Sequence, residues 1–184
     1  AVRRPGSVGS PVPMLEMRLA REDGAEAATG EPGELLLRGP QVFSGYLRNP
    51  EKTAEAFTAD GWLCTGDLAA RDEAGAFRIC GRRKEMFISG GENVFPGEVE
   101  AALADCPGVA EVVVVGVRDE RWGEVGRAFI VPRAETRVTD GDVIAHARAR
   151  LAGYKVPKSI VFLPEIPRLG SGKPDRRALS EACV

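Results

Sequence analysis

A twenty-residue run at 81–100, GRRKEMFISGGENVFPGEVE, separates two parts of the chain that have different sequence patterns. Three cations open the run at 82–84, a short apolar strand follows at 86–88, and the Gly90-Gly91 pair precedes an acidic helix start. Short strands dominate before the run, whereas strands mixed with helices follow it, so we predict a domain boundary at 81–84. A cationic bend beside exposed glycine backbone also suits a phosphorylated ligand.

The part before the run has the pattern of short, half-buried strands. The segment LEMRLA alternates apolar and polar side chains, and GELLLRG and AFRICG are further short strands bounded by glycine. One helix interrupts them, with Asn49 as its N-cap and Pro50 in its first turn. Many short strands joined by Gly and Pro turns predict a small barrel or sandwich.

The part after the run mixes helices with buried strands. One helix is predicted at 96–105, and another runs from the N-cap Thr139 to about Ala152. Strands are predicted at 110–117, 128–131 and 159–163, and a short terminal helix from Asp175 onward. This pattern is typical of a compact α+β domain of about 100 residues.

Composition excludes several classes of function. The formal net charge of −2 argues against a general nucleic-acid binder, and no apolar run approaches the length of a membrane span. The four cysteines lack zinc or disulfide-framework spacing, so we expect buried thiols in a reducing cytoplasm. They are Cys64, Cys80, Cys106 and Cys183. The single histidine, His146, rules out metal sites of several histidines and is expected at a solvated helix position. We predict no metal site.

Asp67 is the first candidate for contact with a substrate. In GWLCTGDLAARDEAG it follows Thr65-Gly66 and is predicted at a turn between strands. A carboxylate presented there accepts two hydroxyl hydrogen bonds, as from the diol of a ribose. The alternative is a turn aspartate that binds its own backbone.

The cations and glycines of the 81–100 run form the second candidate. Arg82 is suited to hold a phosphate or a nucleotide hydroxyl, and Ser89-Gly90-Gly91 leaves bare backbone that a thin ligand can pass closely. The alternative is a cationic linker followed by a glycine turn.

Lys173, in RLGSGKPDRRAL, is the third candidate. It is predicted at the tip of a mobile Gly170-Ser171-Gly172 loop, as a movable point charge for a phosphate or carboxylate oxygen. The segment is not a Walker A loop, because Pro167 stands where the leading glycine belongs and Pro174 follows the lysine. The alternative is a solvated loop lysine.

Together these segments resemble the adenylate-forming superfamily, which includes acyl-CoA synthetases, luciferases and the adenylation domains of peptide synthetases. The resemblance covers nearly the whole chain through six motifs in the family's order. They are PGSVGSPVP, GELLLRGPQVFSGYLRNPEKTAEAF, GWLCTGDL, GRRKEMFISGGENVFPGEVE, GVRDERWGE and YKVPKSIVFLPEIPRLGSGKPDRRAL. The segment ISGGENVFPGEVE is similar to the corresponding segment in CoA ligases of medium- or long-chain, aryl and succinylbenzoate type.

The resemblance implies an α+β fold in two domains joined by a hinge. Residues 1–81 are expected to form the β-rich, distorted-barrel last subdomain of a larger domain, and residues 82–84 the hinge. Residues 85–184 are expected to form a mobile α+β domain with a three-stranded sheet and packed helices.

The resemblance also implies roles for single residues. Asp67 and Arg82 are implied to bind the nucleotide, and Lys84 to act as the pivot of the hinge. Lys173 is implied to be the catalytic lysine, which contacts the acyl carboxylate and the ATP phosphate. The pantetheine tunnel and the CoA-binding surface are implied to include Gly90, Gly91, Trp122, Tyr154 and Lys158. Val156 departs from the pattern, because some members carry a basic residue there.

The implied reaction joins a small carboxylic acid to CoA in two steps, through an acyl-adenylate, and releases pyrophosphate and AMP. ATP, Mg²⁺ held mostly outside this chain, and CoA are implied. The alternatives are an acyl carrier protein as acceptor, or a non-catalytic module that kept the fold. The family's phosphate loop and Tyr-Gly-x-Thr-Glu segment are absent from the sequence. We therefore expect a C-terminal portion of a longer ligase, inactive alone, with the acyl pocket upstream.

Overall fold

In the computed structural model, which describes residues 6–181, the chain divides into two units between Lys84 and Glu85. Each unit is built on one β-sheet, and the helices are few and short. The α+β class predicted from the sequence is confirmed. The division follows directly on the segment 82–84, whose role as a hinge stays a prediction.

The first unit is an antiparallel sheet whose four strands lie in sequence order. The strands are β1 (Glu16–Ala20), β2 (Gly33–Arg38), β3 (Leu63–Arg71) and β4 (Phe77–Arg82). Helix α1 (Pro50–Ala56) precedes β3, and the side chain of Asn49 caps it by accepting the N–H of Lys52 at 3.0 Å. The predicted strands and the predicted cap are confirmed.

Alternation along these strands places apolar side chains together on one face of the sheet. The main buried cluster of this unit consists of Leu19, Ala27, Leu35, Ala69 and Phe77. The described strands form an open sheet with β1 and β4 at its edges, which differs from the predicted barrel. The sheet stays open because β1 and β4 do not pair with each other; the segment at Gly9 bridges to β4 instead.

The second unit has a five-stranded sheet centred on β8. Its strands are β5 (Phe87–Ser89), β6 (Glu92–Val94), β7 (Val109–Asp119), β8 (Gly123–Pro132) and β9 (Ser159–Phe162). One edge of β8 pairs antiparallel with β7, and the other meets β5 at Gly123 and runs parallel to β9. The prediction of three strands was wrong: the short strand predicted at 86–88 corresponds to β5 and joins the sheet, and the three-residue β6 is too short for periodicity to identify.

Helices cover both faces of this sheet. They are α2 (Pro96–Leu103), α3 (Asp140–Arg148) and α4 (Arg176–Glu181). Val114 on β7 lies in a core cluster with residues of α2 and α3, whereas its neighbours Val113 and Val115 cluster with Leu179 of α4. The predicted end of α3 was about four residues too far, because a separate 3-10 helix, Gly153–Lys155, follows it.

The thiols and the histidine differ in part from expectation. Cys106 is buried, but Cys64 and Cys80 are only half-buried, and Cys183 lies outside the described residues. His146 is not at a solvated position: its side chain is 11% exposed and Nε2 lies 3.0 Å from Oδ1 of Asp105. The helix thus uses its histidine to attach to the loop after α2.

No helix between residues 6 and 181 has the length and apolar character that a membrane crossing requires.

Candidate functional site

Asp67 and Arg82 lie directly opposite each other on the paired strands β3 and β4. Arg82 Nε is 2.8 Å from Asp67 Oδ1, and Arg82 Nη1 donates to the backbone oxygen of Thr65 at 2.9 Å. The Asp67 side chain is 26% exposed and that of Arg82 53% exposed. The fold therefore brings the two predicted nucleotide contacts into one ion pair that still reaches solvent.

The position of Asp67 within β3 corrects the prediction of a turn between strands. The register with β2 is irregular between Cys64 and Leu68, and Gly66 has φ of +72°, which glycine adopts without a Cβ clash. The Thr65 hydroxyl donates to the Leu35 carbonyl at 2.7 Å and accepts the Asp67 N–H at 3.1 Å. The alternative for Asp67 was a bond from its carboxylate to nearby backbone. The Thr65 hydroxyl makes the local backbone bond instead, and the Asp67 carboxylate binds Arg82.

The two cations after Arg82 have different surroundings. Arg83 donates from Nη1 to Glu34 Oε2 at 2.8 Å, and its backbone N–H donates to the Gly66 carbonyl at 2.9 Å. Lys84 is exposed. Arg83 therefore fixes the end of β4 to the sheet, one residue before the predicted pivot.

Gly90 and Gly91 form the two-residue turn of the β5–β6 hairpin. Their φ values are +61° and +89°, the left-handed region that such a turn requires at both positions. A Cβ on Gly90 would lie 2.8 Å from Cε3 of Trp122, while no heavy atom lies within 4 Å of a Cβ on Gly91. Gly90 therefore packs against the tryptophan, and Gly91 leaves its backbone open.

Trp122 is held at the turn between β7 and β8. Its backbone oxygen accepts the Gly90 N–H at 2.9 Å, and Asp119 Oδ1 accepts its N–H at 2.9 Å. The ring is half-exposed, with the guanidinium carbon of Arg121 4.9 Å from its centroid. The structure thus places Trp122 beside the adjacent pair Gly90-Gly91, although the tryptophan is distant from that pair in sequence.

The predicted CoA-binding residues Tyr154 and Lys158 flank a short loop after α3. A shallow surface groove runs beside this loop, lined by Ile144, Arg148, Gly153, Val156, Pro157 and Lys158. Tyr154 does not line the groove, and Val156 belongs to the buried core. Arg148 is a second cation beside the groove, and the sequence analysis did not identify it. It lies four residues after Ile144 on α3, a spacing that places the two side chains on the same face of the helix.

Lys173 lies at the base of a tight turn. Its carbonyl accepts the Leu169 N–H at 2.9 Å, and the Leu169 carbonyl accepts the Gly172 N–H at 2.8 Å. The predicted position at the tip was wrong, because 169–172 close the turn among themselves. The lysine side chain is exposed.

Within residues 6–181, no three His, Cys, Asp or Glu side chains lie close enough together to hold a metal ion. The described residues therefore do not form a metal site made of protein side chains alone.

Comparisons with known proteins identify the family to which the chain is similar. The family model described as "AMP-binding enzyme C-terminal domain" matches residues 98–173, and the model "AMP-binding enzyme" matches residues 1–47. A feruloyl-CoA synthase from Amycolatopsis sp is 48% identical over 168 residues, which cover 91% of this chain and 34% of that protein. The chain spans about a third of the length of the curated relatives it matches.

Solved structures are similar over almost the whole chain. ATP-bound MatB from Rhodopseudomonas palustris superposes with a TM-score of 0.89 at 37% identity, over 99% of this chain and 36% of that one. The o-succinylbenzoate CoA synthetase MenE from Bacillus subtilis, in complex with its acyl-adenylate intermediate, gives 0.89 at 37% identity, over 95% and 35%. The chain belongs to the adenylate-forming superfamily of AMP-binding enzymes.

Proposed function

We propose that this chain acts in an ATP-dependent carboxylate–CoA ligase that forms AMP. The observation that carries the proposal is the exposure of Asp67, Gly91 and Lys173 in a chain whose curated relatives are CoA ligases. The carboxylic acid is a small molecule whose identity is left open, and CoA is the proposed acceptor.

The first half-reaction uses Asp67, Arg82 and Lys173. Asp67 and Arg82 hold the ribose side of ATP, with Asp67 Oδ2 as the acceptor for the ribose hydroxyls. The carboxylate oxygen of the acid attacks the α-phosphorus, a new P–O bond forms, and the bond to the β-phosphate oxygen breaks with release of pyrophosphate. Lys173 offsets the negative charge of the incoming carboxylate and the phosphate in this step.

The second half-reaction uses the hairpin at Gly91. The CoA thiol loses its proton, its sulfur forms a bond to the acyl carbon, and the bond from that carbon to AMP breaks. Gly91 offers bare backbone for the thin pantetheine arm, and the exposed face of Trp122 offers an apolar wall beside it. The cations Arg148 and Lys158 offer charge complementarity for the phosphates at the other end of CoA.

We also propose that residues 82–84 are the hinge that allows the second unit to serve both half-reactions. The exposed Lys84, placed between Arg83 and the start of the second unit, supports this.

The test separates the two half-reactions in the complete gene product. Lys173→Ala should reduce carboxylate-dependent ATP–pyrophosphate exchange to a small residual rate and should largely preserve CoA transfer from supplied acyl-adenylate. Lys52→Ala, which removes another exposed lysine, is the control and should change neither rate. An equal loss of rate in both half-reactions of Lys173→Ala would contradict the assignment of Lys173 to adenylation alone.

Two further outcomes would replace the proposal. Transfer of the acyl group to a carrier protein, unaffected by free CoA, would identify a different acceptor. Absence of any acyl-adenylate from a range of carboxylic acids would favour a non-catalytic module.

A further inference from the structure

The turn that carries Lys173 is fastened by an arginine on its N-terminal side. Arg168 Nη1 donates to the Gly172 carbonyl at 2.9 Å, and Arg168 Nη2 forms an ion pair with Glu111 of β7. Arg168 also pairs with Pro174 as an isolated β-bridge. These bonds close the turn and connect its N-terminal side to β7, while its C-terminal side continues into the segment that begins at Asp175.

A second arginine, Arg176, lies three residues after Lys173 and is the best-connected cation of the second unit. Its Nη1 lies 2.7 Å from Glu100 Oε1 and 2.7 Å from the Val114 carbonyl, and its Nη2 lies 3.1 Å from Glu100 Oε2. Its Nε lies 3.2 Å from Glu85 Oε2. One guanidinium therefore connects the start of α4 to α2, to β7 and to the first residue of the second unit.

This cluster is well shielded, in contrast to most ion pairs of the chain. The side chains of Arg176 and Glu100 are 25% and 19% exposed, and Glu100 Oε1 also accepts the Val114 N–H at 2.7 Å. Burial by itself would lower the pKa of Arg176, but the hydrogen bond and charge of Glu100, together with the charge of Glu85, outweigh it and raise the pKa. The guanidinium of Arg176 makes four contacts, two with Glu100, one with the Val114 carbonyl and one with Glu85, whereas a lysine ammonium has only three N–H donors.

Further contacts connect the Arg176 cluster to the turn that carries Lys173. The Asp175 N–H donates to the Pro167 carbonyl at 2.8 Å, and Leu179 of α4 is buried in the second core cluster of the unit. With Arg176 held on one side and Arg168 on the other, the backbone of Lys173 has little freedom. A fixed backbone lowers the entropy cost of placing the Lys173 ammonium group, because only the side-chain torsions then remain to be ordered.

We propose that Arg176, held by Glu100, is a positioning residue that orients Lys173 for the adenylation half-reaction. This inference rests on the proposed function of Lys173. It predicts that loss of Arg176 acts through Lys173 and leaves the thiol half-reaction, which uses the Gly91 hairpin, almost intact.

The kinetic test compares Arg176→Gln with Arg177→Gln in the complete gene product. Arg177 is the matched control, since it is the next residue on α4 and its only ion pair among the described residues is the exposed one with Glu181. Arg176→Gln should lower the rate of adenylation by about 10- to 100-fold, and CoA transfer from supplied acyl-adenylate by less than about threefold. Arg177→Gln should stay within about twofold of the parent in both.

A double variant separates positioning from general stabilisation. Added to Lys173→Ala, the Arg176→Gln change should have almost no further effect on adenylation, because its target is already gone. The same proportional loss in both backgrounds, or an equal loss in both half-reactions, would overturn the proposal. Arg176→Lys keeps the charge but not the fork, so it should show a smaller loss and serves if Arg176→Gln fails to fold.

Hydrogen exchange on the 184-residue chain gives a readout independent of activity. Arg176→Gln should speed exchange at the amides of Leu169, Gly172 and Asp175, and should leave those of Gly90 and Lys158 unchanged. Unchanged exchange at the first three would overturn the proposal whatever the activities. If Lys173→Ala retained full adenylation, the proposed function would fail, while the exchange data would still report whether Arg176 holds the turn.

Discussion

At the scale of single residues, the Asp67–Arg82 pair shows how one carboxylate can serve structure and ligand together. Arg82 occupies Oδ1, and we assign Oδ2 to the ribose hydroxyls. Asp67→Asn keeps the size of the side chain and removes its charge, so both bonds lose their ionic component. A hydrogen bond to a charged group contributes about 1.5–3 kcal/mol, so we expect the KM for ATP to rise about 10- to 100-fold.

The measurement is the ATP dependence of acyl-adenylate formation in the complete gene product. Asp23→Asn is the control, because Asp23 pairs with Arg21 at an exposed position of the same unit. If both variants kept the ATP dependence of the parent, Asp67 would have no part in nucleotide binding.

Gly90 and Gly91 differ in what a methyl group would meet, although both have positive φ. Gly90→Ala adds the backbone strain of the left-handed region and a contact at 2.8 Å with the Trp122 ring. Gly91→Ala adds only the strain, about 1–2 kcal/mol. We expect Gly90→Ala to lower the free energy of unfolding of the chain by about 1–3 kcal/mol more than Gly91→Ala does.

Urea denaturation of the two variants, followed by circular dichroism, measures this difference. Equal losses would mean that Trp122 moves away from Gly90 at no cost. In the complete gene product, Gly90→Ala should also slow CoA transfer, because the displaced ring forms the proposed wall beside the thiol arm.

At the scale of elements, helix α3 depends on a reciprocal cap at its start. The Thr139 hydroxyl accepts the Asp142 N–H at 3.3 Å, and Asp142 Oδ2 accepts both the hydroxyl at 2.7 Å and the N–H of Thr139 at 3.0 Å. Thr139→Ala should therefore lower the free energy of unfolding by about 1 kcal/mol at neutral pH. Thr136→Ala is the control, since its hydroxyl makes one long bond on an exposed loop.

The same cap predicts a pH dependence. The hydroxyl and the N–H of Thr139 lower the pKa of Asp142 below its ordinary value of 3.8. A lowered carboxyl pKa stabilises the folded state fully above 3.8, and this stabilisation is lost as the pH falls through the folded-state pKa. The stability difference between parent and Thr139→Ala should therefore shrink below about pH 3.8 in urea titrations. A difference that grew on acidification would contradict the cap.

At the scale of the whole molecule, each unit has its own apolar core, and the segment between them presents three cations. Arg82, Arg83 and Lys84 are exposed, and Arg83 and Lys84 lie outside the strands. We expect brief trypsin digestion to cut first at 82–84 and to leave the second unit as a resistant product. Mass spectrometry of the products measures this, with Arg127, which lies inside β8 and bonds to Ser159, as an internal control. Early cleavage at Arg127 would mean that the sheet of the second unit opens as readily as the linker.

The sequence by itself determined the α+β class, most strands and the cap at Asn49, because alternation, apolar runs and cap residues are local signals. It also identified Asp67, Arg82, Gly91 and Lys173 as candidate site residues, through the residue types in the motifs that contain them. Only the tertiary structure decided that Asp67 lies in a bulge opposite Arg82, because register depends on pairing with β2 and β4. The joining of Gly90 to Trp122 and of Arg176 to Glu100 was likewise decided by packing, since contacts between residues far apart in sequence leave no periodic signal in either segment.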